Sequence, residues 1–138
     1  MKIINTELLN EVTEKAQENS RLRMNYNFHT SLDSKAQRLL NALEPGTEIP
    51  AHRHLNTRET YVLLRGKLKV MFYNDDCELT ETMILDPKTG DFGIDIPKGQ
   101  WHSIEVLETG TVIFEVKDGP YSPLSKDDIL CLKSGIMQ

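Results

Sequence analysis

The rhythm of apolar and polar positions changes near Gly46. Ahead of it, Leu8, Leu9, Val12 and Ala16 recur at helical spacing, with Asn5 or Thr6 where an N-cap belongs. The polar run Gln17-Glu18-Asn19-Ser20 ends that helix. A second short helix or turn is predicted over residues 34–43, because Ala36, Leu39, Leu40 and Leu43 fit the same period and Pro45-Gly46 stops it. The stretch between them, Arg21 to His29, alternates too irregularly to assign.

After Gly46 the period shortens. Strands are predicted over residues 48–54, 59–65, 67–73, 79–85, 92–96, 102–107 and 112–117. Turn chemistry separates them: Asn74-Asp75-Asp76, Pro87 to Asp91, Pro97-Lys98-Gly99-Gln100 and Thr109-Gly110. Many short strands at near-regular spacing mean a sandwich or barrel. The division that follows is a helical or irregular arm over residues 1–45, a barrel over 46–121 and a tail over 122–138 packed on it, with a helical turn around residues 127–132.

Composition narrows the class. A chain of 138 residues is one ordinary domain, and it buries about two-thirds of its unfolded surface without needing a staple. Apolar residues make up 38% and charged residues 27%, the balance of a globular protein. The formal net charge of −5 argues against a nucleic-acid partner, which calls for a basic face. No run approaches the ~20 apolar residues of a membrane span, and the first residues lack the pattern of a signal peptide. The expected location is therefore the cytoplasm. Cys77 and Cys131 form neither a CxxC nor a zinc-knuckle spacing and read as two free thiols.

The chemistry lies in two short segments. The first runs from Gly46 to Gly66 and has the form G-x5-H-x-H-x4-E-x6-G. In a strand, residues two apart face the same way, so His52 and His54 point together and Arg53 points away. Glu59 opens the next strand and closes the same face of a hairpin. The second segment, Pro97 to His102, is P-x-G-x-x-H, and its histidine would enter from the opposite side of the barrel. Three of the four histidines thus fall on these positions. Three imidazoles and one carboxylate make a mixed nitrogen and oxygen site for one divalent transition metal ion: Fe, Mn, Ni, Co or Zn.

Both segments resemble the two motifs of the cupins, a superfamily of double-stranded β-helix (jelly-roll) barrels. The resemblance covers roughly residues 46–106. Two positions depart from the motif: Asp91 replaces a leading glycine, with Gly90 one residue earlier, and Val106 replaces an asparagine. Neither is a ligand. The flanks narrow the likeness. Arg21-x-Arg23-x-Asn25-x-Asn27-x-His29, then Gln37 to Gly46, then Pro50-x-His52-Arg53-His54, and Phe114 to Tyr121 are together similar to the WbuC family of cupin-fold metalloproteins. That resemblance implies a neighbourhood in O-antigen or other surface-polysaccharide synthesis.

Other residues are weaker candidates. Tyr61 and Leu63 share the face of Glu59. Tyr61 reads either as a donor to the site or as a packed aromatic. Trp101 reads as a rim or packing residue. If residues 23–29 are extended, Arg23, Asn25, Asn27 and His29 share one face, which would cover the barrel mouth and bind a polar or anionic ligand, or else pair with a neighbouring subunit. Glu115 and Lys117 alternate on a late strand as a costly interior pair, which makes them site candidates. The expected function is a metal-dependent enzyme acting on a small polar metabolite, a sugar or nucleotide-sugar, by isomerisation or epimerisation. Tyr61, Glu115 and His29 are the candidate acid–base groups, and Arg23, Asn25, Asn27 and Lys117 the candidate substrate contacts. Fe(II) oxygen chemistry and a non-catalytic binding or sensor module are the alternatives. The expected assembly is a homodimer, with the arm covering the edge of another barrel.

Overall fold

The computed structural model describes residues 1–130. Helix α1 (Thr6–Glu18) begins where the sequence places it, with the Asn5 side chain accepting from the Leu8 amide. Eight strands follow: β1 (Arg23–Asn27), β2 (Ala36–Leu43), β3 (Glu59–Arg65), β4 (Leu68–Tyr73), β5 (Leu79–Leu85), β6 (Gly93–Ile96), β7 (Trp101–Val106) and β8 (Thr111–Asp118). They form two antiparallel sheets, ordered β1-β2-β8-β3-β6 and β5-β4-β7. This is the cupin-like architecture expected, with the helix lying on the outside of the larger sheet.

Residues 34–43 correct the sequence reading: β2, not a second helix, occupies most of them. β2 is central, paired with β1 on one side and β8 on the other. Both its faces are covered: Leu40 and Ala42 pack under α1, and Leu43 joins the barrel core. Burial on two faces removes the alternation that marks a half-exposed strand, and the remaining run imitates a helical period. β1 resolves the stretch that sequence left unassigned, so the first 45 residues supply one helix and two strands of the sheet. A strand over 48–54 is not formed either. Within that stretch the β-bridges are confined to His52, which bridges His102 and Ile129.

Glycines serve the turns that the first motif requires. Gly66 has φ +95°, and a side chain there would meet the Thr111 backbone and hydroxyl. After β8 the chain returns over the barrel through a short 3-10 turn (Lys126–Asp128), and the Leu130 amide donates to the Ala51 carbonyl at 2.9 Å. The expected turn at 127–132 runs past the described residues, as does Cys131. Cys77 is not a free thiol, which corrects that reading for this residue.

Register decides what faces inward. Glu59, Tyr61 and Leu63 of β3 share the interior with Ile113, Glu115 and Lys117 of β8, because Glu59 pairs with Lys117, Tyr61 with Glu115 and Leu63 with Ile113. One further strand over, Asn41 of β2 pairs with Ile113 and with Asn25 of β1. The interior is therefore apolar at one end, where Leu43, Leu63, Leu68, Val70, Leu85 and Ile113 pack, and polar at the other.

Candidate metal centre

His52, His54, Glu59 and His102 converge at the polar end. One ligand atom from each lies within 4.8 Å of the others. Two backbone devices bring them together. His52 and His102 exchange amide-to-carbonyl hydrogen bonds at 2.9 Å, which locks the motif segments side by side. Glu59 opens β3 directly across, with one carboxylate oxygen 3.2 Å from His102 Nε2 and the other 3.1 Å from His54 Nε2. His102 is 1% exposed, while His54 faces the opening with 16% of its side chain accessible. Arg53 points away, as expected, and lies over the Trp101 ring with its guanidinium carbon 4.2 Å from the centroid. Trp101 is buried and donates to Asp75, so it is a packing residue.

The donor set fits a metal ion. His52 Nδ1 lies 2.8 Å from the Pro50 carbonyl oxygen and His102 Nδ1 lies 2.9 Å from that of Gln100. A carbonyl oxygen only accepts, so both Nδ1 atoms carry a proton, and both Nε2 atoms are the ligating positions once a metal ion displaces any proton held there. Burial, and then the neighbouring His102, push the His52 imidazole down to about 4, so it is neutral and ligand-ready at pH 7. Burial alone would raise the Glu59 carboxyl, but the hydrogen bonds and charge of His102 and His54 hold it well below the usual range. Tyr61 donates its hydroxyl to Glu59 Oε1. Its own ionisation is pushed far up, by burial and then by the Glu59 and Glu115 charges, so it stays a donor.

A cavity of about 350 Å³ opens on this cluster. Its polar wall carries Arg23, Asn25, Asn41, Glu115 and Lys117 beside Tyr61. Burial, then the Glu59 charge, raise the Glu115 carboxyl to about 8, while Lys117 and the Asn41 amide pull it back. Glu115 and Lys117 make no direct ion pair among the described residues. Arg23 also braces the segment leading to His52, donating to the Glu48 carbonyl at 3.0 Å. The structure does not bring Asn27 or His29 to this cavity. Asn27 is exposed at the end of β1, and His29 Nδ1 pairs with the Arg38 backbone at 3.1 Å beyond it. Sequence reasoning missed Asn41. Its signal was a lone amide within the apolar run Leu39-Leu40-Asn41-Ala42-Leu43.

Fold and site together define a cupin-like fold whose His/Glu cluster can hold a metal ion. The chain belongs to the family described as "Domain of unknown function (DUF6016)", whose model matches residues 4–85, more than half of the chain. That match contains His52, His54 and Glu59 and ends before His102. No curated protein matches the chain.

Among solved structures, the capsular polysaccharide assembling protein CapF from Staphylococcus aureus aligns with a TM-score of 0.62 at 20% identity, over 77% of this chain and 28% of CapF. KdgF from Halomonas sp. aligns with a TM-score of 0.56 at 15% identity, over 72% of this chain and 82% of KdgF. A cupin superfamily protein from Desulfitobacterium hafniense aligns with a TM-score of 0.54 at 14% identity, over 70% and 76%. At such identities the likeness is one of fold. Among the described residues no helix is long and apolar enough to cross a membrane.

Proposed function

We propose that this chain is a metal-dependent enzyme that moves a proton on a small polar metabolite, a sugar or nucleotide-sugar, in an isomerase- or epimerase-like reaction. The observation that carries the reading is Glu115. It lines the cavity opposite Tyr61, one strand from the cluster, and burial raises its carboxyl to about 8, closer to the working pH of a general acid–base group than a free carboxyl is. His52, His54, Glu59 and His102 would hold the ion, which supplies Lewis acidity toward a bound carbonyl or hydroxyl. Tyr61 orients Glu59. Arg23, Asn25 and Lys117 face the space a polar substrate would occupy.

Surface-polysaccharide synthesis is the proposed setting, and the cytoplasm the proposed compartment, since activated sugars are its substrates. Two features support that setting: the likeness of the Arg23 to His29 and Phe114 to Tyr121 flanks to WbuC proteins, and the shared fold of CapF, described as assembling capsular polysaccharide. We propose a homodimer as the assembly. Support comes from exposed apolar side chains, Val62, Leu64 and Val116 on the outer face of the larger sheet and Phe92 nearby. Light scattering at micromolar concentration checks it, and a monomeric mass rejects it.

The reaction is tested in deuterium oxide with a panel of nucleotide-sugars, read by nuclear magnetic resonance. Wild-type protein is expected to exchange a carbon-bound proton for deuterium, and Glu115→Gln is expected to lose that exchange while keeping its metal. Binding of the panel with no exchange would reject the proton-transfer reading in favour of a non-catalytic binding module. Oxygen consumption by the iron-loaded protein with the same panel would favour a dioxygenase.

A further inference from the structure

Asn41 acts on Glu115 through its amide alone, yet it is 9% exposed and its Oδ1 has no hydrogen-bond partner among the described residues. A buried acceptor without a donor is unfavourable, and native interiors seldom keep one without a reason. The side chain stands on the cavity wall, between Asn25 of β1 and Ile113 of β8 in the register of the sheet. Its amide favours the charged form of Glu115, as an N–H donor does, which leaves the carbonyl oxygen as the open atom. No structural partner claims it: the apolar neighbours Leu40, Ala42 and Leu43 fill the cores on either side of β2.

The same wall carries two cations. Lys117 makes no ion pair among the described residues, and it faces inward because it pairs with Glu59 across β3 and β8. Arg23 is engaged through Nη1 with Thr47 and Glu48 and still lines the cavity. An open carbonyl acceptor asks for a hydroxyl or N–H donor, and a cation asks for an anion. From this juxtaposition we propose that the cavity selects a hydroxylated anion, with a ligand hydroxyl donating to Asn41 Oδ1 while its carboxylate or phosphate meets Lys117. The inference rests on the site reading above and narrows its substrate class.

The test uses the metal-loaded protein and titration calorimetry, with two arms that separate the sources of charge. D-glucose 1-phosphate is compared with inorganic phosphate, and D-gluconate with acetate. In at least one arm, wild-type protein is expected to bind the hydroxylated probe at least tenfold more tightly. Asn41→Leu, close in size and without the orphan acceptor, is expected to keep its metal, melt at the same temperature or higher, and lose that preference. Asn41→Ala, read the same way, covers the case in which leucine does not fit.

Equal affinity for hydroxylated and plain anions in the wild type overturns the proposal. So does a preference that survives in a folded Asn41 variant. Failure of both variants to fold overturns it too, by giving Asn41 a structural role. If elemental analysis finds no metal in the wild type, the metal reading fails, and the same titrations on that protein still decide the role of Asn41.

Discussion

The two ends of the barrel interior are built on the same strands and do opposite things. At one end Leu63 of β3 and Ile113 of β8 close against Leu68, Val70 and Leu85, each at most 3% exposed. At the other, Glu59 and Tyr61 of β3 and Glu115 and Lys117 of β8 surround an open cavity. Two residues along a strand separate a dry core from a charged site. The apolar end carries the hydrophobic stabilisation, and the polar end holds groups that burial alone would disfavour. Stability and chemistry are thus divided by position along the strand rather than by domain.

That division can be broken from either side. The largest expected effect is at the open end: His52→Ala or His54→Ala should lose nearly all bound metal while remaining folded, as elemental analysis beside circular dichroism will show. Wild-type metal content in both variants would end the ligand assignment. At the closed end, Leu68→Ala, at a fully buried position, should cost about 2–5 kcal/mol in urea denaturation. Its metal content per folded molecule should not change. A loss of metal there would mean that the two ends are coupled.

Acid should act through the open end. In the metal-free protein His52 is neutral down to about pH 4, whereas in the unfolded chain it takes up a proton near 6.5. The unfolded state therefore binds more protons in that window, and stability falls as pH drops from about 6.5 to about 4. The loss assigned to His52 is on the order of 3 kcal/mol. Comparing wild type with His52→Gln across this range isolates the effect from Glu115, whose raised value tilts stability the other way over part of it. Parallel curves would remove the argument.

The smallest effect sharpens the boundary between the ends. Tyr61→Phe keeps the packed ring and removes only the hydroxyl donated to Glu59. Metal affinity should fall about ten- to hundredfold, the usual consequence of losing a group that orients a ligand. Competition with a chelator of known affinity measures it. Unchanged affinity would return Tyr61 to the apolar end as a packing residue.

The metal cluster is legible in the sequence because it depends on short-range geometry. His52 and His54 face together in any extended segment, and a turn carries Glu59 to the same face. His102 follows from its own turn motif, with the barrel supplying the return. The identity of β2 is not legible. Leu39, Leu40, Ala42 and Leu43 are apolar on both faces of a central strand, and a run buried on two sides carries no period of its own. Asn41 is hidden with it, since an amide in a helix would have no reason to face a metal site. The pairings of Tyr61 with Glu115 and Glu59 with Lys117 depend on the register of strands some fifty residues apart, where a slip of one residue would turn every side chain to the other face. Local spacing thus determined which residues can ligate together. Only the closed sheet decided which polar groups stand around them, because those neighbours are set by long-range strand pairing, which no local pattern encodes.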